Sequence, residues 1–147
     1  FKGTWRRQEY KGKHFDMDCY DDYAHHPTEI AATLDAIKEK VDGKKKIIAI
    51  FMPHLYSRTK LLLDDFAKAF TDADEVILLP IYAAREEMDE TISSDILQER
   101  MLEMDENKIA FSFVSMYDVA EYLKTKNDEY VVVTMGAGDI FKLYDLL

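Results

Sequence analysis

Apolar residues fall along this chain in two alternating rhythms. Between 14 and 22, Phe15, Met17 and Cys19 alternate with Asp16, Asp18 and Tyr20, the period-two pattern of a half-buried strand. Residues 4–10 also read as a strand, and Lys11-Gly12-Lys13 offers a short turn, so the spacing predicts an antiparallel pair. From Pro27 the period lengthens. Ile30, Leu34, Ile37 and Val41 recur on one helical face, with proline suited to the first turn and Gly43 to the stop. Residues 45–53, "KKIIAIFMP", are continuously apolar at their centre, which suits a strand covered on both faces.

The alternation continues to the end of the sequence. Ser57 is placed to cap a helix carrying Leu62, Phe66 and Phe70. "EVILLPIY" (75–82) reads as a strand, followed by a polar stretch, a helix over 94–104, a short strand "KIAFSF" (108–113) and a helix over 116–126. "YVVVTM" (130–135) is a buried strand that runs through a glycine turn into a last helix. Strands alternating with helices predict one α/β domain over 1–147: a mostly parallel, open, Rossmann-like sheet with helices on both faces and an N-terminal antiparallel strand pair. Ligands of such sheets gather at the carboxyl ends of the strands. Three polar turns fall there: "DDYAHHP" (21–27), "MPHLYSR" (52–58) and "MGAGD" (135–139).

Composition narrows the classes. The 147 residues are 48% hydrophobic and 33% charged, and 29 acids against 19 bases give a net charge of −10. That balance disfavours nucleic-acid backbones and anionic membranes as partners. A single cysteine rules out an internal disulfide, and no apolar run approaches the roughly 20 residues of a membrane span. These features predict a cytoplasmic protein, and a first residue Phe1 in place of methionine predicts an excised domain.

Each polar turn admits more than one chemistry. Gly136-Ala-Gly138-Asp139 is either a partial dinucleotide fingerprint, with Phe141 where a third glycine belongs, or a tight turn with an acid near a helix start. The "PHLYSR" turn is either a capped helix start or an anion site. In the second reading Arg58 offers a planar pair of donors and the helix N-terminus a favourable field. In "DDYAHHP" three chemistries compete: metal ligation by His25 and His26 with Asp21 and Asp22, although adjacent residues seldom reach one ion; a nucleophilic set of Cys19 with His25 and an acid, although Cys19 sits on the apolar side of its strand; and a hydrogen-bonding set for a small molecule. Strand alternation lets at most one of Arg6 and Arg7 enter a cleft and leaves the other solvated.

Taken together these segments resemble the C-terminal domain of the Mur ligase family, in the branch that joins L-alanine to UDP-N-acetylmuramate. "FKGTWRR" is similar to the family's F-x-G-x-x-R-R strand, "DDYAHHPTE" to its signature turn, "FMPHLYSRT" to its F-Q-P-H-x-[YF]-S-R-T segment and "GAGDI" to its closing turn. They occur in family order across nearly the whole chain. The resemblance implies an ATP-dependent amide-forming ligase of peptidoglycan precursor synthesis, in which ATP activates a carboxylate as an acyl phosphate and an amine attacks it. It implies a domain that closes over a central ATPase domain, which with an N-terminal UDP-binding domain would lie elsewhere in the same chain. By the same resemblance Arg7 faces the triphosphate and Asp22 the ribose, while Tyr23, His25, His54 and Arg58 face L-alanine or the muramoyl end. ATP and Mg²⁺ would be held mainly outside these residues, since no G-x-x-x-x-G-K-[ST] loop occurs here, and the fragment alone would be inactive. Met52 stands where the family often has Gln, and Leu55 where some members are basic. Two other readings stay open: a ligase recycling murein tripeptide onto the same UDP-sugar, and a free-standing α/β binding module.

Overall fold

The computed structural model describes residues 6–147, in the order β1 (Glu9–His14), β2 (Met17–Asp22), α1 (Pro27–Lys40), β3 (Lys46–Phe51), α2 (Tyr56–Leu61), α3 (Leu63–Lys68), β4 (Glu75–Leu78), α4 (Ser94–Met104), β5 (Ile109–Ser112), α5 (Met116–Leu123), β6 (Tyr130–Met135) and a closing 3₁₀ helix (Ile140–Leu146). The strands form one sheet in the order β1-β2-β6-β3-β4-β5. Only β1 and β2 run antiparallel; every other neighbour is parallel. Strand β6, last in sequence, is inserted between β2 and β3, which is why its valines are buried on both sides.

Parallel neighbours need crossovers, and the helices that make them cover both faces of the sheet. Ile30, Leu34 and Ile37 of α1, Phe66 of α3 and Leu97 and Met101 of α4 pack with Ala49, Phe51, Val76 and Val133 on one face. Val119 and Leu123 of α5 and Ile140 and Leu143 of the 3₁₀ helix pack with Met17, Cys19, Ile48, Ile50 and Val132 on the other. The fold class read from the pattern is the one observed.

Three local expectations are corrected. The hairpin does not turn at Lys11-Gly12-Lys13. Its turn is Phe15-Asp16, both left-handed (φ 53° and 67°) as a two-residue hairpin loop requires, and Gly12 (φ 89°) instead sits where one extra residue shifts the register between Tyr10 and Lys13. The first strand is observed from Glu9, and residues 4 and 5 of the strand expected over 4–10 lie outside the described residues. The helix expected after Ser57 is two short helices broken at Leu62, and its cap position is Leu55. Strand β4 ends at Leu78, before Pro80, which has no amide hydrogen to give a neighbouring strand.

Candidate functional site

The carboxyl ends of β2, β6, β3 and β4 meet at one edge, and backbone bonds beyond the strands tie their loops together. The Met52 amide donates to the Met135 carbonyl (3.1 Å), the Gly136 amide to Asp22 (3.3 Å) and the Leu79 amide to Phe51 (3.0 Å). Past Pro80, pairing between the β3 and β4 chains resumes as a single parallel bridge, His54 to Tyr82. There the Tyr82 amide donates to Pro53 (2.8 Å) and the Leu55 amide to Tyr82 (2.9 Å).

Along this edge stands a row of rings. Tyr23 meets His25 edge-on with centroids 5.2 Å apart, His25 meets His54 at 6.0 Å, and His54 stacks on Tyr82 at 5.8 Å with 19° between the planes. Arg58, from the first turn of α2, donates from Nη1 to His54 Nδ1 (3.4 Å). Because a guanidinium only donates, this contact puts the neutral His54 proton on Nε2. Partial burial is the largest influence on His54, followed by the positive Arg58 and by His25; together they lower its pKa against a weaker pull from Glu86. His25 Nδ1 lies 3.0 Å from the Tyr23 carbonyl, so it is the donor there, and Nε2 is left as the acceptor of the neutral ring. The residues carried over by resemblance for the substrate end, Tyr23, His25, His54 and Arg58, are thus brought together from two loops, and a residue the sequence reading missed, Tyr82, closes the row.

The helix-terminus field expected at Arg58 is already taken. Glu86, in the loop after β4, accepts from the Ser57 amide (3.2 Å) and from the Ser57 hydroxyl. Those bonds hold its carboxyl below the usual carboxylate range. Ser57 is therefore not the cap but the anchor of a carboxylate from the chain itself, and any anion at this turn relies on Arg58 and His54.

Arg7 and Asp22 line a second recess, of about 270 Å³, with Gln8, Tyr23, Glu29 and Thr33. Tyr23 borders both this recess and the ring row. Arg7 is exposed, held between two left-handed residues, Arg6 (φ 56°) and Gln8 (φ 45°). Asp22 is buried and accepts the Gln8 amide (2.9 Å) and the Ala24 amide (2.8 Å). Burial raises its pKa, opposed by those two amides, the Thr33 hydroxyl and Arg7.

The neighbour of Arg7 is the buried member of the pair. Arg6 is only 2% exposed. Its Nε donates to Asp21 (2.7 Å), Nη1 to the Gly138 carbonyl (2.9 Å) and Nη2 to the Gly136 carbonyl (2.8 Å), and its guanidinium lies over the Phe141 ring at 4.7 Å. Asp21 also accepts from the Thr134 hydroxyl (2.6 Å). One arginine points in and one out, but a bend with left-handed residues produces this, not strand alternation. Of the rival chemistries, the nucleophile loses its ground: Cys19 is buried and burial pushes its thiol up to about 12. Among the described residues no three His, Cys, Asp or Glu side chains converge as metal ligands. Met52, the expected loss of a polar group, lies in the core beneath the glycine turn.

Over 99% of its length the chain is 46% identical to the UDP-N-acetylmuramate–L-alanine ligase of Clostridium botulinum, and it spans 31% of that relative. Its fold matches the UDP-N-acetylmuramate-alanine ligase of Thermotoga maritima with a TM-score of 0.76 and 27% identity, covering 99% of this chain and 30% of the other. The fold of a murein peptide ligase from Psychrobacter arcticus also matches, with a TM-score of 0.79 and 24% identity, over 100% of this chain and 30% of the other. The model of the family described as Mur ligase, glutamate ligase domain, matches residues 6–138, so the chain belongs to that family.

Proposed function

We propose that this chain is the closing domain of an ATP-dependent ligase that joins L-alanine to UDP-N-acetylmuramate in the cytoplasm. The observation that carries the reading is the convergence of Tyr23, His25, His54 and Arg58 at one sheet edge, beside the recess of Arg7 and Asp22. The 46% identity to a ligase named for L-alanine supports this choice of substrate. ATP supplies the activation of the muramoyl carboxylate. The chain's own residues bind and orient. Arg58 and the His54 Nε2–H are donors for the amino-acid carboxylate, a pairing that charge-assisted bonds strengthen. His25 Nε2 is an acceptor for the incoming amine, and Arg7, exposed on its bend, is a cation for the triphosphate once the domain closes. Asp22 keeps acceptor capacity for a ribose hydroxyl beyond its bonds to the two amides and the Thr33 hydroxyl. In this reading Mg²⁺ is held mainly by the central domain, as the family resemblance implies.

Steady-state kinetics of the full-length ligase test the reading. Arg58→Lys keeps the charge and loses the planar fork, so the KM for L-alanine rises about fivefold to tenfold while that for ATP stays put. A raised KM for ATP with that for L-alanine unchanged would assign the turn to the nucleotide instead. Turnover with murein tripeptide in place of L-alanine would overturn the substrate assignment.

A further inference from the structure

The turn after β6 carries two glycines, Gly136 and Gly138. Gly136 and Gly138 lend carbonyls to Arg6, but any residue has a carbonyl. Why glycine is required at 138 emerges from what its missing side chain would strike. A Cβ there would lie 2.9 Å from Tyr82 Cγ, 3.0 Å from Tyr82 Cδ2 and 3.1 Å from the Met52 sulfur. Gly138 is thus the seat of the Tyr82 ring. That same ring stacks on His54, and the backbone beneath is fixed on both sides by the His54–Tyr82 bridge and its two hydrogen bonds. A side chain 40% exposed would ordinarily sample several rotamers; this one is bounded by a backbone seat and an imidazole.

We propose that Tyr82 is a positioning residue of the amino-acid site: seated on Gly138, its ring fixes the plane of His54 so that Nε2–H points where the substrate carboxylate binds. The proposal rests on the reading of His54 as part of that site. Four groups bear on the His54 ring: Arg58 from α2, His25 from the loop after β2, and Glu86 and Tyr82 from the loop after β4. Arg58 fixes the tautomer, but a single 3.4 Å contact at Nδ1 leaves the ring free to swing about it. The stack on Tyr82 removes that freedom, and with it the loop after β4 becomes part of a site otherwise built from the loops after β2 and β3. The seat also joins the two halves of the edge, because the Gly138 that accommodates Tyr82 is the Gly138 whose carbonyl receives Arg6.

Two measurements separate this from a merely structural role. In the chain itself, which has only four histidines, NMR titration follows the His54 ring, assigned by its loss in His54→Gln. Tyr82→Ala should move the His54 titration upward toward an ordinary imidazole, because the stack that helps exclude water is gone, and Gly138→Ala should act in the same direction by unseating the ring. Tyr82→Phe keeps the stack and should leave the titration where it was, which guards against a variant that simply fails to fold. In the full-length ligase, Tyr82→Ala should raise the KM for L-alanine about threefold to tenfold, the range an aromatic pair contributes, with the KM for ATP unchanged and Tyr82→Phe close to the parent. An unaltered His54 titration in Tyr82→Ala overturns the proposal whatever the ligase does, and so does a Tyr82→Phe as impaired as Tyr82→Ala. A shifted titration with an unchanged KM for L-alanine also overturns it, by removing His54 from the amino-acid site while leaving the packing intact.

Discussion

The two ends of the sheet carry the same kinds of residue and use them differently. At the amino end the Glu75 carboxylate, 4% exposed, accepts from the Tyr122 hydroxyl and from Lys126 Nζ (3.0 Å), and Lys126 lies over the Tyr122 and Tyr130 rings at 4.9 and 4.8 Å. Lys108 Nζ donates to the Phe70 and Ala73 carbonyls (2.6 and 2.7 Å), and Asp74 accepts the Ile47 amide (2.8 Å). Each of these charges is closed by a partner within the chain. At the carboxyl end, Arg7 makes no hydrogen bond among the described residues, His25 keeps Nε2 open, and His54 is held by one contact and a stack. Buried polar groups are costly unless satisfied, so the closed cluster reads as structure; half-exposed groups with unused donors and acceptors read as a surface kept for a ligand.

Arg6 is the strongest challenge to that contrast, because it sits at the carboxyl end and is bonded in the amino-end manner. Removing it leaves Asp21 as a buried carboxylate without its ion pair, and removing one partner of a buried pair costs about 3–5 kcal/mol. Arg6→Ala should therefore be the most destabilising of the substitutions considered, read as a lower denaturation midpoint of this chain. A midpoint matching the parent would mean that the glycine turn holds without its staple.

Arg7→Ala should do the reverse. Its side chain is exposed, so the denaturation midpoint stays within error of the parent, while turnover of the full-length ligase falls about 10²-fold or more, as for loss of one charge-stabilising donor. Unaltered turnover would separate Arg7 from the triphosphate and blur the distinction between the two arginines. At the other end of the sheet, Glu75→Gln keeps an acceptor for Tyr122 but removes the counter-charge of Lys126, a loss of about 1–3 kcal/mol in stability with no change in either KM. A kinetic defect there would show that the amino end is not purely structural.

How much of this was legible depended on the range over which each feature is decided. Helix α4 was read over its observed span, 94–104, and α1 on its observed buried face, because periodicity is local and Ile30, Leu34 and Ile37 announce it. The hairpin turn was misplaced because Gly12 is the louder signal, whereas Phe15-Asp16 contains neither Gly nor Asn and takes left-handed φ only under the demand of the pairing around it. The break at Leu62 carries no proline or glycine to mark it. Individual candidate residues were named through family resemblance; spacing alone gave only the edge where they gather. What neither could give was pairing over long separation: the burial of Arg6 is decided by carbonyls 130 and 132 positions away, and the place of Tyr82 by β3–β4 pairing that resumes after a proline.

The smallest expected effect tests whether His54 is held neutral by its surroundings. Burial and Arg58 lower its folded pKa below the ordinary imidazole value of about 6.5, so near and below that value the unfolded chain binds more protons than the folded one. Stability rises with pH wherever the unfolded state holds more protons. The contribution of His54 is thus fully present above about pH 6.5 and is lost as the pH falls through the window down to its folded value. Denaturant titrations of the parent at pH 7.5 and 5.5 should show a drop in stability that is smaller in His54→Gln, which has nothing to protonate there. The closed amino-end cluster should contribute nothing to that difference, because Lys126 is held charged, its pKa raised by Glu75 and Tyr122 against the opposing effect of burial. If His54→Gln kept the full drop, the pH sensitivity would have to come from another group, and the open, half-exposed character assigned to the carboxyl edge would lose its thermodynamic support.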